Sequence, residues 1–259
     1  MPDYCFALGC DRSGTTALIR LLHAHEQVVM GVERYKYWLG DRLDQLGPPL
    51  FEGDRFLDFQ SGDTNITPDN ERFTKHYEIA ERRIRGGNLV YIGDKVVAKK
   101  PVVDAIQRQF PSPKMVFIYR DLLRVASSFC VRARNPNDTN WPEDSTHKTA
   151  LDRWVGAFAA ADALVDGPEP QNVFVVRYER LFNGDERTCE AMFRFLDLDY
   201  TPDVRKHFTA ATAKWEAHQS KGLQLTPNQL ADLRDHADSG LARRFDREFE
   251  RQVDLYAST

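Results

Sequence analysis

The chain has 259 residues, of which 42% are hydrophobic and 29% charged, as in an ordinary globular protein with one α/β-sized domain. Its formal net charge of −4 gives no positive field that would gather nucleic acid, so no nucleic-acid partner is expected. No run approaches the roughly 20 apolar residues of a membrane span, and the first apolar run starts too early for a signal peptide. These features predict a cytoplasmic protein without an integral membrane segment.

Strand-length apolar runs alternate with helical patterns along the chain. Strands are predicted over residues 4–8, 28–30, 89–93, 115–119 and 173–176. Helices are predicted after the first strand to residue 22, and over residues 71–85, 101–110, 123–131, 149–165, 186–196, 204–208, 227–237 and 241–256. This order predicts an α/β, P-loop-like fold with three layers, in which helices flank a central parallel sheet and the C-terminal third is helical. Residues 1–259 are predicted to form a single domain.

Two segments interrupt the alternation. Residues 35–85 begin with a stretch rich in aromatic residues, glycine, proline and aspartate, and residues 132–148 are polar with an NPND run. Connecting segments of this kind often carry binding residues, so both are predicted to form walls or a lid of the substrate pocket.

The first predicted strand runs into the sequence GCDRSGTT at residues 9–16 and then into a helix. Its two glycines are five residues apart, as in the Walker A pattern, which cradles phosphate with backbone N–H groups. Thr15, however, stands where the Walker lysine would be, and Arg12 offers a planar, permanently charged fork for oxyanions. The stretch therefore predicts a cradle for a phosphate-like group other than the ATP triphosphate.

Polar residues also follow later predicted strands, as Asp94-Lys95, Arg120-Asp121 and Arg177-Tyr178. Ligands of open parallel sheets bind beyond the carboxyl ends of the strands. We therefore expect these residues and the glycine-bounded loop to converge on one crevice.

Three motifs, in this order, resemble sites of sulfotransferases that use 3′-phosphoadenosine 5′-phosphosulfate (PAPS). RSGTT at residues 12–16 resembles their 5′-phosphosulfate loop, YRDLLRVASS at 119–128 resembles their 3′-phosphate site, and VRYERL at 176–181 resembles their late Tyr-Glu motif. The match is to the bacterial and tyrosylprotein-like subgroup with an Arg-Ser-Gly-Thr-Thr loop. The resemblance implies PAPS as donor, 3′-phosphoadenosine 5′-phosphate (PAP) as product, and no metal.

Within the loop, the backbone N–H groups from Ser13 through Gly14 to Thr16 are expected to hold the 5′-phosphate, with hydroxyls of Thr15 and Thr16 as further donors. Arg12 is expected to neutralise charge on the phosphosulfate and so to act in catalysis as well as in binding. The alternative is a simple glycine turn with a surface arginine.

The resemblance assigns the 3′-phosphate to Arg120 and to Ser128, eight residues later. It places Tyr178 against the adenine ring, although a core aromatic is the alternative there. It also implies a basic residue in a C-terminal loop, for which Lys221 is the candidate. Taken alone, Arg120-Asp121 also fits a local ion pair with a helix cap.

The subgroup carries a glutamate general base shortly after its second strand, and Glu33 occupies that place. The alternative is that Glu33 pairs with Arg34 or Lys36 at the surface. His23 and His25 are other candidate bases, but a histidine at a helix end is more typical of a C-terminal cap.

Asp94-Lys95 resembles the Asp-Lys that the subgroup carries after its third strand, usually followed closely by proline. Lys95 is expected to donate to the bridging oxygen as charge develops on the departing phosphate. Here the proline is delayed to Pro101, which leaves Lys99 and Lys100 as alternatives for the catalytic cation.

Together these residues predict direct transfer of the sulfonate group to a hydroxyl of a small molecule or glycolipid, with Glu33 as base. An ATP-dependent P-loop phosphotransferase is the alternative, and a nucleotide-binding protein without turnover is a third. No histidine and carboxylate cluster has metal-ligand spacing, and the cysteines form no C-x-x-C pair, so no metal is expected. The acceptor's identity stays open, as does a homo-oligomeric state.

Overall fold

The computed structural model describes residues 1–138, 141–142, 144–219, 222–237 and 240–257. Five strands, all parallel, form one sheet in the order β2-β3-β1-β4-β5. The strands are β1 Asp3–Gly9, β2 Val28–Met30, β3 Tyr91–Val97, β4 Lys114–Tyr119 and β5 Val173–Arg177. The α/β fold with a central parallel sheet is therefore confirmed.

Eleven α-helices lie in the described part of the chain. The first six are α1 Thr15–Leu22, α2 Gly53–Leu57, α3 Glu71–Gly86, α4 Lys100–Gln109, α5 Leu122–Ala133 and α6 His147–Val165. The C-terminal third contains α7 Tyr178–Phe182, α8 Glu186–Phe195, α9 Pro202–Gln219, α10 Pro227–Ala237 and α11 Gly240–Ala257. No helix in these ranges is long and apolar enough to cross a membrane.

Helices cover both faces of the sheet. On one face, Phe117 of β4 packs against Phe158 of α6 and Phe245 of α11, with ring centroids 5.7 and 5.6 Å away. Phe174 of β5 packs against Phe195 of α8 at 5.4 Å. Phe174 pairs with the neighbour of Phe117 in the ladder, and side chains alternate along strands, so the two phenylalanines point to opposite faces. The result is the three-layer arrangement.

Two predicted elements differ from the structure. Asp94 and Lys95 were expected to follow a strand over residues 89–93, but they lie inside β3, which pairs with β1 from Tyr91 to Val97. The second half of β3 was missed because Asp94 and Lys95 are polar but buried, and a hydropathy pattern does not show that polar side chains are buried. The short helix expected over residues 204–208 is instead α9, since the alanine-rich residues that follow favour helix without an apolar stripe.

The aromatic-rich stretch after β2 contributes to the core. It forms three short 3₁₀ helices, Lys36–Trp38, Leu43–Gln45 and Pro48–Phe51, followed by α2. Phe51 and Phe56 are buried, and the Phe51 ring lies 5.6 Å from Phe6 of β1 and 5.4 Å from Phe110. The segment is thus attached to the sheet by aromatic packing, and its role as a pocket wall stays a prediction.

Candidate active site

The glycine-bounded loop connects β1 to α1 and turns sharply. Arg12 and Gly14 both have positive φ, of 68° and 94°. A side chain at Gly14 would have its Cβ 2.3 Å from the ring of Tyr178, so only glycine fits. The N–H of Ser13 donates to the Cys10 carbonyl at 3.1 Å, which closes the turn.

This turn directs the start of α1 toward the crevice. Gly14 is the N-cap of the helix, and Thr15 and Thr16 are its first residues. The N–H groups of a first helical turn have no acceptor within the helix and attract anions. The backbone donors available to a phosphate are therefore those of residues 14–16, because the Ser13 N–H is engaged in the turn.

The structure brings the loop and the Arg120 motif together, as the motif order predicted. The Nε of Arg12 donates to the Ser128 hydroxyl at 2.9 Å, and Nη1 of Arg120 donates to the Arg12 carbonyl at 3.2 Å. The pKa of Arg12 is lowered, first by partial loss of hydration and then by repulsion from Arg132 and Arg120. Such mutual repulsion between cations is relieved when an anion binds among them.

Tyr178 completes this side of the crevice. The guanidinium of Arg120 lies 4.3 Å from the centroid of its ring, and the ring also packs against Phe182 at 4.9 Å. The indole of Trp154 donates to the Arg120 carbonyl at 2.9 Å. Arg120 is therefore held between a ring and a backbone contact, at the end of β4.

Glu179 is a residue of this side to which the motif alone gave no role. Its carboxylate accepts from the Asp121 N–H at 3.0 Å, lies 3.5 Å from Arg177 and lies 4.0 Å from Arg120. Burial raises the pKa of Glu179. Glu179 therefore helps to fix the turn at Arg120 and Asp121. Its position directly after Tyr178, in the late Tyr-Glu motif, is the sequence signal that could have identified it.

The second side of the crevice contains Glu33, Lys95 and Thr16. The Lys95 Nζ lies 2.5 Å from the Glu33 carboxylate and 3.5 Å from the Thr16 hydroxyl. Both charged side chains are mostly buried, with 18% of Glu33 and 11% of Lys95 exposed. A candidate base and a candidate cation thus meet at the mouth of the glycine-bounded loop.

The surface-pair alternative for Glu33 is realised only in part. Lys36 lies 3.8 Å from the Glu33 carboxylate, a longer approach than that of Lys95. Arg34 points the other way: it is fully buried and forms an ion pair with Asp63 at 2.8 Å. Glu33 itself has a positive φ of 53°, so the chain turns here and sends adjacent side chains in opposite directions.

A buried polar cluster fixes this turn, and no motif or spacing along the chain indicated it. Arg34 donates to the Phe56 carbonyl at 2.8 Å, while Asp63 accepts from Arg34, Arg55 and Trp38. Burial opposes ionisation of Asp63, but these hydrogen bonds outweigh it and hold its pKa at about 2. The partners are 29 residues apart, and no spacing rule connects them.

Asp94 supports the same turn from the sheet. It is buried in β3 and accepts from the N–H groups of Lys95 at 2.8 Å and Tyr35 at 3.3 Å. Burial raises its pKa to about 7, against the opposing effect of these backbone donors. Gly31 lies so close that an added Cβ would be 2.7 Å from the Asp94 carboxylate.

The other candidates lie elsewhere. His23 is the C-cap of α1, is buried, and accepts from the Met30 N–H at 3.2 Å, as its position at a helix end indicated. His25 is also buried, and its ring accepts from the Gln27 N–H. Lys100 forms an ion pair with Asp104 at 2.7 Å. Of the three candidate lysines, Lys95 is the one in contact with Glu33.

The remaining sequence predictions concern Lys221 and the absence of a metal. Lys221 lies outside the described residues. Within them, no group of three or more histidine, cysteine and carboxylate side chains is arranged to hold a metal ion. The four cysteines are buried free thiols: Cys5, Cys10, Cys130 and Cys189.

Solved structures with a similar fold include sulfotransferases. The sulfotransferase domain from the curacin biosynthetic pathway is 17% identical with a TM-score of 0.55, over 100% of this chain and 97% of that one. Mouse sulfotransferase SULT7A1 complexed with PAP is 13% identical with a TM-score of 0.54, over 95% and 88%. The sulfotransferase domain of the Synechococcus PCC 7002 olefin synthase is 18% identical with a TM-score of 0.52, over 99% and 95%.

No curated protein sequence matches the chain. A sequence model of the sulfotransferase family matches residues 5–202, which include the glycine-bounded loop, Lys95, Arg120 and Tyr178. The match covers well over half of the chain and agrees with the three motifs read from the sequence. The chain therefore belongs to the sulfotransferase family.

Proposed function

We propose that the protein transfers the sulfonate group of PAPS to an acceptor hydroxyl, with Glu33 as general base. The contact of Lys95 with both Glu33 and Thr16 carries this proposal. It joins a proton acceptor, a cation and the phosphate loop within one small region, which is what displacement at a phosphosulfate requires. Residues 1–259 are proposed to act as one domain.

The donor is proposed to bind along the first side of the crevice. The N–H groups at the start of α1 hold the 5′-phosphate, Arg120 and Ser128 hold the 3′-phosphate, and Tyr178 contacts the adenine. The Arg12–Ser128 and Arg120–Arg12 hydrogen bonds support this proposal because they bring the residues of both motifs into contact. A sulfotransferase of the same fold is known with PAP, which also favours this donor.

In the transfer step, Glu33 takes the proton of the acceptor hydroxyl as its oxygen attacks sulfur. The new oxygen–sulfur bond forms in line with the bond to the 5′-phosphate oxygen, which breaks, and PAP leaves with the electron pair. Lys95 donates to that departing oxygen, and Arg12 stabilises the charge on the sulfonate and phosphate. No metal is needed for this step.

The acceptor is proposed to approach from the side of Glu33. The turn that carries Glu33 leads directly into residues 35–85, and burial first and then the charge of Arg132, within residues 132–148, lower the pKa of Arg12; these observations support the proposal that both segments line the pocket. A small molecule or a glycolipid with a free hydroxyl is the proposed acceptor class. A location in the cytoplasm stays a prediction, and the oligomeric state stays open.

The test is a calorimetric titration with PAP, run beside ATP with magnesium. We expect micromolar binding of PAP that is lost in Arg120→Ala, and retained in the matched variant Arg108→Ala, whose arginine is exposed on α4. Magnesium-dependent ATP binding without PAP binding would overturn the proposal in favour of the phosphotransferase. PAP binding without any turnover of PAPS would favour the nucleotide-binding alternative.

A further inference from the structure

Helices α1 and α3 run side by side on the same side of the crevice. The ring of His23, the C-cap of α1, stacks on that of His76 in α3, with centroids 4.0 Å apart and planes at 24°. Helix α1 follows β1 and α3 precedes the parallel strand β3, so both helices begin at the edge of the sheet where the crevice lies. Arg20 precedes His23 on α1, and Arg72 precedes His76 on α3, in each case by about one helical turn. Both arginines therefore lie closer to this edge than the stacked rings.

These two arginines form a pair of like charges. Arg20 is half-buried and Arg72 is exposed, and neither guanidinium has a hydrogen bond or ion pair to a carboxylate within the described residues. The pKa of Arg20 is lowered, first by loss of hydration and then by the charge of Arg72. Burial first, and also the charge of Arg20, lower the pKa values of His76 and His207, and neither imidazole adds negative charge.

The pair lies on the acceptor side of the crevice. In the sheet order, β4 with Arg120 lies on one side of β1, whereas β3 and β2 lie on the other side. The Nε2–H of His76 donates to the Met30 carbonyl at 2.6 Å, and Met30 ends β2 just before the turn that carries Glu33. Besides burial, Arg72 also contributes to the lowered pKa of Arg12, so the pair lies where the acceptor side borders the glycine-bounded loop.

The pair is also close to the proposed reacting hydroxyl. Arg20 is four residues after Thr16, so the two share one face of α1 with a rise of about 6 Å. The Thr16 hydroxyl lies 3.5 Å from Lys95, which contacts Glu33 at 2.5 Å. A group bound by the arginines would therefore be about one helical turn from the oxygen that attacks sulfur.

We propose that Arg20 and Arg72 bind an anionic group of the acceptor, a carboxylate, phosphate or sulfate ester, about one helical turn from its reacting hydroxyl. This inference rests on the proposed function. Guanidinium groups bind such oxyanions through paired N–H donors, and two adjacent arginines without an acidic partner are stabilised by an added anion. The acceptor would then be recognised by charge at one end and by the base at the other.

The experiment uses two probes that differ only in charge, 4-hydroxyphenylacetate and its neutral amide. Each is titrated by calorimetry into protein saturated with PAP, which fills the donor phosphate sites. We expect the acid to bind about tenfold more tightly than the amide, the range of one charge-assisted hydrogen bond in a partly hydrated site. Arg20→Gln and Arg72→Gln should each remove most of this preference, whereas Arg82→Gln, on the exposed surface of α3, should retain it.

Inorganic phosphate, added as a competitor, distinguishes an acceptor-borne anion from a free ion. Competition with the acid but not with the amide supports the inference. Equal affinity for the two phenols, or a preference that survives both substitutions, overturns it. Phosphate binding at the arginines without any preference for the acid also overturns it, since the site would then serve a free ion. PAP binding is measured first, so a failure of the proposed function appears as absent PAP binding instead.

Discussion

The two sides of the crevice are built in different ways. On the donor side, Arg12 contacts both Ser128 and Arg120 directly, and all three come from short motifs that follow strands. On the acceptor side, Glu33 is held in place indirectly, by Arg34 with Asp63 beneath the turn and by Asp94 from the sheet. The donor side presents repelling cations at the surface, whereas the turn that carries Glu33 is held by paired charges in the interior.

This difference separates binding from positioning. Cations that repel one another stabilise a bound polyanion, because its arrival relieves the repulsion. A base, in contrast, must stay in one place, and a buried ion pair with several hydrogen bonds confines a turn far better than a surface contact. Substitutions on the donor side should therefore change affinity for PAP, whereas those on the acceptor side should change turnover or stability.

The largest expected effect is that of Glu33→Gln. Removal of a general base should lower kcat by about 10²- to 10⁴-fold and leave the PAP dissociation constant unchanged. The measurement is PAP formation from PAPS with 4-hydroxyphenylacetate as acceptor. Glu78→Gln, an exposed position on α3, is the control. A kcat within twofold of wild type would exclude Glu33 as the base while the family assignment would remain.

Next is Asp63→Ala, which leaves the fully buried Arg34 without its carboxylate. Breaking a buried ion pair at one partner should lower the free energy of unfolding by about 3–5 kcal/mol. Urea unfolding measures this, and Asp69→Ala, at an exposed carboxylate, should stay within about 0.5 kcal/mol of wild type. If Asp63→Ala lowered the free energy of unfolding no more than Asp69→Ala does, the buried cluster would not be what fixes the Glu33 turn.

A smaller effect is expected from the stacked histidines. Burial first, and then the charges of Arg20 and Arg83, lower the pKa of His76 to about 4, against an ordinary value near 6.5. Between these values the unfolded chain binds the proton and the folded protein does not, so acidification destabilises the fold.

The free energy of unfolding should therefore fall from pH 6.5 to 4, by up to about 3 kcal/mol from this residue. His76→Gln should weaken that dependence, and His236→Gln, at an exposed position on α10, should preserve it. Urea unfolding at pH 7 and 4.5 makes the comparison. Identical pH dependence in the His76 variant and wild type would contradict the assignment.

The smallest effect is expected for Ser128→Ala on the donor side. It removes the hydroxyl that accepts from Arg12 at 2.9 Å, and a single hydrogen bond of this kind is worth about 1 kcal/mol. PAP affinity should fall about fivefold, with stability unchanged. Ser61→Ala, at an exposed serine, is the control. A loss of stability instead of affinity would place Ser128 among the structural residues.

The sequence predicted the donor side better than the acceptor side, for a physical reason. Arg12 and Arg120 follow strands in a parallel sheet, so topology alone brings them together at one edge. Lys95 is different, since it lies within β3 and reaches the site only through the strand register. The pairing of Arg34 with Asp63 depends on how a non-repeating segment folds back, and no local pattern encodes such a contact.

The ion pair between Lys95 and Glu33 bears on the order in which substrates add. In the structure the proposed base already forms an ion pair with Lys95, the residue proposed to donate to the leaving group. A donor phosphate offers Lys95 a second anion and so releases Glu33 for a hydroxyl. An acceptor that arrives first finds the base occupied. We therefore expect an ordered mechanism in which the donor binds first, because the donor releases Glu33 from its salt bridge with Lys95.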